Sequence, residues 1–340
     1  MKKIILVTAA FLTAFIAPAQ KKAQLHTPAE IMKILIDSKV QYSLSQLESP
    51  IAEKDLSSHL VFNNFYRKIT TGGFSTAEYK ITKEVEQAVA KAEEAFQKND
   101  QDEARKFYLK ALELDSSYYM VMTYIGQTYR IQDNWAKAIE WYEKTIQLNY
   151  IDYMAHWFLA DAYEAAGRLD DAKKEIIIAH ILNRNNPRIR TALTQILQKN
   201  NLKLSDWVFN PQISISQKAD NSIDIKYGEG WLIYALVKAI WAYEPGYRQS
   251  MGYENENVFR ESEEKEGLIG LLLSEDPKTK STPVTMALKK ATEDKKHNML
   301  QEFIYYEILF PEHPIIASQL PDEIIENIMD YILKVRCEKN

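Results

Sequence analysis

The densest group of chemically competent side chains in this sequence is a run of glutamates interrupted by one lysine: Glu261, Glu263, Glu264, Lys265 and Glu266. Carboxylate oxygens are the ligands that hard cations such as Ca²⁺ prefer, so the run could attract a cation. Closely spaced charges on a predicted helix are, however, more typical of a solvent-exposed face. The pattern therefore predicts an exposed acidic surface and no metal site.

The six histidines are scattered along the chain. His156 falls at an inward-facing position of a predicted helix, whereas His297 and His313 flank another helix without a clustered carboxylate or cysteine. Cys337 is the only cysteine, so neither an internal disulfide nor a cysteine-based metal site can form. We therefore predict a core role for His156, and no metal or other cofactor. Cys337 is predicted to be an unreactive tail cysteine, the alternative being a reactive thiol or an intermolecular bridge.

Sequence motifs of the common enzyme classes are missing from the chain. The zinc-protease pattern H-E-x-x-H, the nucleophile elbow G-x-S-x-G and the phosphate-binding loop do not occur. Gly72-Gly73 lacks the lysine and serine that a phosphate cradle requires. Catalytic triads are assembled in space and can escape a sequence scan, so this result favours a non-catalytic protein without excluding catalysis.

An aromatic cluster near residue 240 is the one feature that favours a small-ligand site: Trp231, Tyr234, Trp241, Tyr243 and Tyr247. Such side chains could line a pocket for sugar or peptidoglycan fragments. The stretch Trp231–Tyr243 is apolar almost all round, and a helix without a polar face is usually buried in a core. The two interpretations, ligand pocket and hydrophobic core, predict opposite exposures for these rings.

The charge balance argues against a nucleic-acid partner. The net charge is −5 and the isoelectric point is about 5.8, whereas a nucleic-acid surface requires a basic excess. The hydrophobic content of 46% is sufficient for a folded core.

The first 19 residues have the features of a secretory signal. Lys2-Lys3 precede the apolar run Ile4–Ile16, and Ala17-Pro18-Ala19 forms a cleavage site. The alternative is a membrane anchor, but the apolar run is short for a span, and Trp231–Tyr243 is also short and contains Lys238. The sequence predicts a periplasmic or secreted protein with no membrane span after cleavage.

A period of 34 residues organises the middle of the chain. Small residues recur at this spacing in two columns: Ala92, Gly126 and Ala160, then Ala104, Ala138 and Ala172. Turn residues follow the same period, at Asn99-Asp100, Asp133-Asn134 and Gly167-Arg168. Since small residues permit close helix crossings, the pattern predicts three helix-turn-helix units between residues 83 and 187.

These units resemble the tetratricopeptide repeat family. Residues 119–152 match best, through Ile125-Gly126, Tyr129, Ala138 and Tyr142. The first unit departs at Lys91 and Ala95, and the proline that the family favours is replaced by Ser116, Tyr150 and Arg184. The resemblance implies a mainly α, right-handed helical-repeat array that binds other proteins.

In this family the first helix of each repeat lines a concave groove, which implies a set of partner-binding residues. They are Phe96 with Glu86, Val89 and Glu93; Met120, Thr123, Gln127 and Arg130; and Met154, Trp157, Asp161 and Glu164. Trp157 is the foremost candidate for a partner contact because large aromatic residues often dominate binding energy. The alternative is that the chain's own N- or C-terminal region covers it. The groove lacks the lysine and asparagine set that clamps a C-terminal carboxylate, so we expect no recognition of that kind.

Helices are predicted on the N-terminal side of the array. Thr27-Pro28-Ala29-Glu30 is a capping box, from which a helix should run to Ser38 or towards Leu47. A second helix is expected within Ile51–Thr71, and a third from Ser75 into the first repeat. We therefore expect residues 20–82 to be helical, and residues 83–200 to hold three repeats and a capping helix.

Residues 211–340 are predicted to form a mostly helical C-terminal domain. Ile213 and Ile215 alternate with serines, and Ile223 and Ile225 alternate with polar residues, which indicates a β-hairpin. The apolar helix Trp231–Tyr243 follows as the centre of the domain, and several further helices complete it.

Three functional hypotheses follow. The leading one is an exported, non-catalytic scaffold that binds another exported or membrane protein through the groove. The alternative is an enzyme or a receptor for sugar or peptidoglycan fragments, with its site in residues 211–340. The third is self-association through the repeats to form a homodimer.

Overall fold

The computed structural model describes residues 24–61, 65–70, 73–253, 261–275, 281–293 and 298–340. The predicted signal segment 1–19 and His297 lie outside these residues. Among the described residues, no helix is long and apolar enough to cross a membrane.

The structure contains many consecutive helices and a few short strands. In chain order the helices are α1 (Pro28–Asp37), α2 (Lys83–Gln97), α3 (Gln101–Leu114), α4 (Tyr119–Ile131), α5 (Trp135–Leu148), α6 (Tyr153–Ala165), α7 (Leu169–Leu182), α8 (Pro187–Lys199), α9 (Leu232–Tyr243), α10 (Tyr247–Ser250), α11 (Glu261–Leu273), α12 (Pro283–Glu293), α13 (Leu300–Phe303), α14 (Phe310–Glu312) and α15 (Asp322–Tyr331). The strands are β1 (Tyr42–Gln46), β2 (Tyr66–Thr70), β3 (Gly73–Ala77), β4 (Leu202–Leu204), β5 (Ile213–Gln217), β6 (Ile223–Tyr227) and β7 (Cys337–Lys339).

The chain divides into two compact units, and each is formed by two separate stretches of sequence. The first unit comprises Met1–Asp55 and Asp206–Ile308, and the second comprises Leu56–Ser205 and Leu309–Asn340. This division differs from the predicted domains, because the N-terminal segment 20–82 and the C-terminal region 211–340 are each split between the units.

Helices α2 to α8 form the predicted repeat array in the second unit. One residue with positive φ follows the first helix of every repeat, at a spacing of 34: Asn99, Asp133, Gly167 and Asn201. In the first three turns the next amide donates to the carbonyl five residues back, at 2.8–3.0 Å. Because Asn201 continues the series after α8, the capping helix ends like the first helix of a fourth repeat, and β4 replaces its second helix.

The small residues of the array lie where helices cross closely, as the period predicted. Ala92, Ala104, Ala138 and Ala160 are fully buried. At Gly126, an added Cβ would overlap the ring of Tyr142, which is itself fully buried. The Tyr142 ring therefore fills the space that the missing side chain leaves between α4 and α5.

The prediction of helices between residues 51 and 82 was wrong. Strands β2 and β3 pair antiparallel there, from Tyr66 opposite Ala77 to Thr70 opposite Gly73. The described part of Ile51–Thr71 contains no helix, and Ser75 lies in β3. Helix α2 begins only at Lys83, where Thr82 accepts a hydrogen bond from the Val85 amide at 3.4 Å. Aromatic and β-branched residues, which favour strands, occur in both segments: Tyr66, Ile69 and Thr70 in β2, and Phe74 and Thr76 in β3.

Residues 309–340 complete the second unit by packing on the third repeat. Helix α15 and the 3₁₀ helix Pro314–Gln319 both contact α7. Strand β7 pairs antiparallel with β4, so that Cys337 lies opposite Leu204. Cys337 is buried, and burial raises the pKa of its thiol to about 11. A buried, protonated thiol is chemically inert, which agrees with the expectation for this residue.

The first unit is built around α9 and a three-stranded sheet. The predicted hairpin of β5 and β6 is confirmed, with Ile215 opposite Ile225. Strand β1 extends this sheet by pairing parallel to β6, which the sequence had not indicated. Helices α1 and α11 pack on α9, of whose twelve residues eight are buried. Helix α1 begins with the predicted capping box and ends at Asp37, because β1 takes up residues 42–46.

Candidate functional site

The predicted groove positions lie on α2, α4 and α6, the first helices of the three repeats. Val89, Phe96 and Met120 are half-buried and pack against the core of the first repeat. Glu93 accepts a hydrogen bond from the Tyr108 hydroxyl, and Glu86 is exposed. These side chains therefore help to build the array, and each except Glu86 offers only part of its surface to a partner.

Thr123 lies in the interior of the array rather than in the groove. Only 1% of its surface is exposed. Its hydroxyl lies 3.3 Å from both the Thr145 hydroxyl and the Asp152 carboxylate. Asp152 in turn caps α6 by accepting from the Met154 and Ala155 amides at 3.0 Å. Thr123 therefore has a structural role between α4, α5 and α6 and leaves no surface for a partner.

A mixed aromatic and charged patch lies further along the groove. Trp157 is half-buried and stacks on Phe158, with ring centroids 5.6 Å apart. The Arg130 guanidinium lies 6.0 Å from the centre of the same Phe158 ring, and its Nε is buried without a hydrogen-bond partner. Gln127 and Met154 are half-buried on the same two helices. We call Gln127, Arg130, Met154, Trp157, Asp161 and Glu164 the groove patch.

The acidic residues of the groove patch differ in their environments. Glu164 is paired with Lys199 of α8. Burial raises the pKa of Asp161 to about 6, an effect that the Arg130 charge opposes and the Glu164 charge adds to. Near neutral pH, Asp161 is therefore a carboxylate held in a poorly solvated place. A cationic group brought beside it would stabilise its charge.

The glutamate run at residues 261–266 is largely buried, so the prediction of an exposed acidic face was wrong. Glu263, Glu264 and Glu266 are only 0–7% exposed. Lys238 of α9 binds Glu263 at 2.5 Å and Glu264 at 2.6 Å. Burial lowers the pKa of Lys238, but the two carboxylates together raise it by more than burial lowers it. The pKa of Lys238 therefore lies above the ordinary value. Lys238, the single charged side chain of the apolar helix, thus pairs with two buried carboxylates of α11.

Glu266 is the centre of a second buried network in the first unit. One carboxylate oxygen accepts from the backbone amide of His26 at 2.7 Å and lies 3.0 Å from His26 Nδ1. The other oxygen accepts from Trp241 Nε1 at 2.7 Å and from the Tyr247 hydroxyl at 2.8 Å. Glu266 therefore fixes the imidazole of His26, whose side chain is 30% exposed.

The His26 imidazole borders an open cleft of about 400 Å³. The other lining residues are Glu30, Lys33, Ile34, Asp37, Ser38 and Glu244. Glu244 is already engaged, because it accepts hydrogen bonds from Ser38 at 2.6 Å and Tyr42 at 3.0 Å. An imidazole oriented by a buried carboxylate is the arrangement that general bases use. No sequence motif marked this pair, since 240 residues separate its members.

The aromatic cluster that suggested a sugar pocket is mostly core. Trp231, Tyr234, Trp241 and Tyr247 are 0–9% exposed. Phe209 joins them through edge-to-face contacts with Trp231 at 5.7 Å and Tyr234 at 5.9 Å. Only Tyr243 is half-exposed. These rings therefore stabilise the first unit and do not form a ligand pocket.

His156 is confirmed as a satisfied core histidine. It is 1% exposed, and its two ring nitrogens lie 2.6 Å from Glu175 and 2.7 Å from the Tyr150 carbonyl. Among the residues that the structure describes, no three histidines, cysteines or carboxylates are placed to hold a metal ion.

Comparison with known proteins identifies the repeats. A sequence model of the tetratricopeptide repeat matches residues 88–118. The match falls on the first repeat rather than on residues 119–152. The first repeat carries buried alanines at 88, 95 and 111, where the second has Met122, Tyr129 and Thr145, so it has more small residues in its interior. None of the curated proteins matches the sequence.

Solved structures of repeat domains align with about a third of this chain. The first repeat domain of human RPAP3 is 23% identical and covers 34% of this chain and 91% of its own, with a TM-score of 0.33. The Yersinia enterocolitica type III secretion chaperone SycD, in complex with a peptide of the translocator YopD, is 19% identical and covers 35% and 97%, with a TM-score of 0.33. The Arabidopsis OM64 domain is 16% identical and covers 34% and 96%, with a TM-score of 0.33.

Proposed function

Because the helices between Lys83 and Lys199 form a tetratricopeptide-repeat array, we propose that this protein is a non-catalytic scaffold that binds a partner protein through the groove patch. Tetratricopeptide repeats are protein-interaction modules. The observation that carries the proposal is the half-buried Trp157, which stacks on Phe158. The Arg130 guanidinium lies over the same Phe158 ring, and Asp161 follows Trp157 by one turn of α6. A large ring flanked by incompletely paired charges is typical of a binding hot spot.

The charges of the groove favour a basic partner segment. Among the predicted groove positions, Glu86, Glu93, Asp161 and Glu164 are acidic and Arg130 alone is basic. Complementary charge increases both the rate and the specificity of association. The partner is therefore a protein segment that places a lysine or arginine beside Asp161 and an apolar group on Trp157.

The proposal includes the cellular location of the protein. The n-region, apolar run and A-x-A site within residues 1–19 support export to the periplasm or beyond. The partner is then another exported protein or a membrane protein.

Photo-crosslinking in living cells tests the groove. A photoreactive residue replaces Trp157, and a matched chain carries it at Trp135, a half-exposed tryptophan on α5 outside the groove. We expect a specific protein crosslinked from position 157 and not from position 135, and its yield should fall when Asp161 becomes Asn. Identical crosslink patterns from the two positions would exclude the groove patch as the working surface.

The cleft at His26 favours a second candidate function, the binding or turnover of a small ligand. The observation is the imidazole held by the fully buried Glu266 at the edge of a cleft. Lys33 and Asp37 supply both signs of charge, which suits a zwitterionic ligand such as a peptidoglycan stem peptide.

Nuclear magnetic resonance can test this second function. Adding stem peptide should shift the His26 ring signals and leave those of His59, which lines a separate cleft in the second unit, unchanged. The shift should weaken in Glu266→Gln, because the glutamine has one acceptor oxygen where the carboxylate offers two to His26, Trp241 and Tyr247. Unchanged His26 signals at millimolar peptide would reject this function.

A further inference from the structure

A column of polar residues outside the groove has the same 34-residue spacing as the rest of the array: Asp115, Asn149 and Asn183. Each caps the C-terminus of the second helix of a repeat, with nearly the same φ of −146, −143 and −142. Each therefore lies at the loop into the next repeat. Asn149 and Asn183 are 2% and 0% exposed. A buried amide has to find hydrogen-bond partners, and both find them on an earlier part of the chain.

Asn183 binds the backbone of Val61 at two points. Its Nδ2 donates to the Val61 carbonyl at 3.1 Å, and its Oδ1 accepts from the Val61 amide at 3.4 Å. Asn185, two residues further on, donates to the His59 carbonyl at 2.8 Å. The side-chain amide thus donates to the carbonyl of one residue and accepts from the N–H of the same residue, which is the pairing that a neighbouring β-strand would make.

Asn149 repeats this arrangement one period earlier in the array. Its Nδ2 donates to the Phe65 carbonyl at 2.8 Å, and its Oδ1 accepts from the Arg67 amide at 3.3 Å. The side chain of Arg67 is also held, by an ion pair with Asp322 and by the ring of Tyr150 at 5.8 Å.

Asp115 occupies the third position of the column and contacts the chain further along. It accepts a hydrogen bond from the Tyr79 hydroxyl at 2.9 Å. The Tyr79 ring stacks on Tyr118 at 5.3 Å. The polypeptide thus passes the three loops in the order Asn183, Asn149, Asp115, opposite to the order of the repeats.

The occupant is held mainly through its backbone at the two asparagines. Residues 56–61 have exposed or half-exposed side chains, so little apolar surface fixes them. Hydrogen bonds to peptide groups do not depend on side-chain identity. Arg67 adds a charged contact through its ion pair with Asp322.

We propose that Asn149 and Asn183 form a backbone-binding ladder for an extended polypeptide, which residues 59–61 and 65–67 occupy in this structure. An extended segment of another protein can take the place of these residues. That segment carries an arginine six residues after the residue that Asn183 binds, as Arg67 follows Val61. This surface lies on the loops between repeats and is distinct from the groove patch.

A synthetic peptide of residues 58–68 tests the ladder on the full-length chain. Val61→Pro removes the amide that donates to Asn183, so this substitution should release the chain's own segment from the ladder. Glu53→Pro is the control, because Glu53 is exposed and does not contact the ladder. We expect the peptide to bind Val61→Pro about tenfold more tightly than Glu53→Pro. Adding Asn183→Leu to Val61→Pro, or placing proline at the Val61 position of the peptide, should each weaken binding about fivefold.

Equal binding to the two proline variants, or no effect of Asn183→Leu, would overturn the proposal. If Val61→Pro fails to fold, hydrogen exchange on the wild-type chain replaces it. Excess peptide should then accelerate exchange at the Val61 and Arg67 amides, and the proline-containing peptide should not. Unchanged exchange at both amides would equally overturn the proposal.

Discussion

Asp161 makes the array sensitive to pH at the scale of a single side chain. Its pKa is about 6 in the folded state, against an ordinary value of 3.8. Between these two values the folded state binds more protons than the unfolded state, so stability falls as the pH rises through this window. We expect Asp161→Asn to raise the free energy of unfolding by about 2 kcal/mol at pH 7, allowing for partial exposure, and by less at pH 5. Urea denaturation at the two pH values measures this.

Asp170 provides the matched control for that experiment. It lies at the start of α7, is exposed and pairs with Lys173 at 2.7 Å, which lowers its pKa. Any stability that it contributes is fully present above its unfolded pKa and is therefore the same at pH 5 and pH 7. Asp170→Asn should shift stability equally at both values. A pH-independent effect of Asp161→Asn would show that burial does not raise its pKa.

Single residues also mark the limit of what sequence can reveal. The sequence could not distinguish an exposed run of glutamates from buried carboxylates, because their partners lie elsewhere in the chain. Those of Glu264 lie on α9, and those of Glu266 lie on α9, on α10 and at His26, which precedes α1. Lys238 was the available signal: a lone lysine in an apolar helix requires a buried counter-charge. Pairing Lys238 with the glutamate run would have predicted the contact between α9 and α11.

At the scale of elements, the repeats could be predicted because their determinants are local and periodic. Turn residues such as Asn99 and Asp133 end a helix through their own backbone conformation. Gly126 indicates a close crossing of α4 with α5, which follows it only a few residues later in the chain.

Strands β1 to β3 escaped prediction because their stability comes from pairing rather than from propensity. Strand β1 pairs with β6, about 180 residues away, and no turn signal connects them. Strand β2 was assigned to a helix because Phe65 and Tyr66 continue an apolar stripe when placed on a helical wheel. The β-propensity of Tyr66, Ile69 and Thr70 was the available signal for a strand, and the glycines at 72 and 73 indicated a turn after it.

At the scale of the whole molecule, α7 shows why the predicted domain 83–200 differs from the compact unit. Helix α7 has eight buried residues, whereas α5, its equivalent in the previous repeat, has three. Where α5 carries Glu143, Lys144 and Gln147, α7 carries three buried isoleucines: Ile177, Ile178 and Ile181. The 34-residue comparison alone therefore indicated a second apolar face. Residues 314–331 cover it, through the 3₁₀ helix and α15.

Because this second apolar face is covered by residues 314–331, its removal should prevent association of the isolated array but destabilise the full-length chain. Replacing Ile177, Ile178 and Ile181 by the residues of α5, Glu, Lys and Gln, removes the apolar face. In the isolated fragment 83–199, we expect the variant to be monomeric and the unchanged fragment to associate, because an exposed apolar patch drives aggregation. In the full-length chain the same variant buries two charges and should lower the free energy of unfolding by more than about 5 kcal/mol. Light scattering and urea denaturation measure the two effects. Two results together would contradict this prediction: the unchanged fragment is monomeric, and the full-length variant is as stable as wild type. They would mean that residues 309–340 do not stabilise the array.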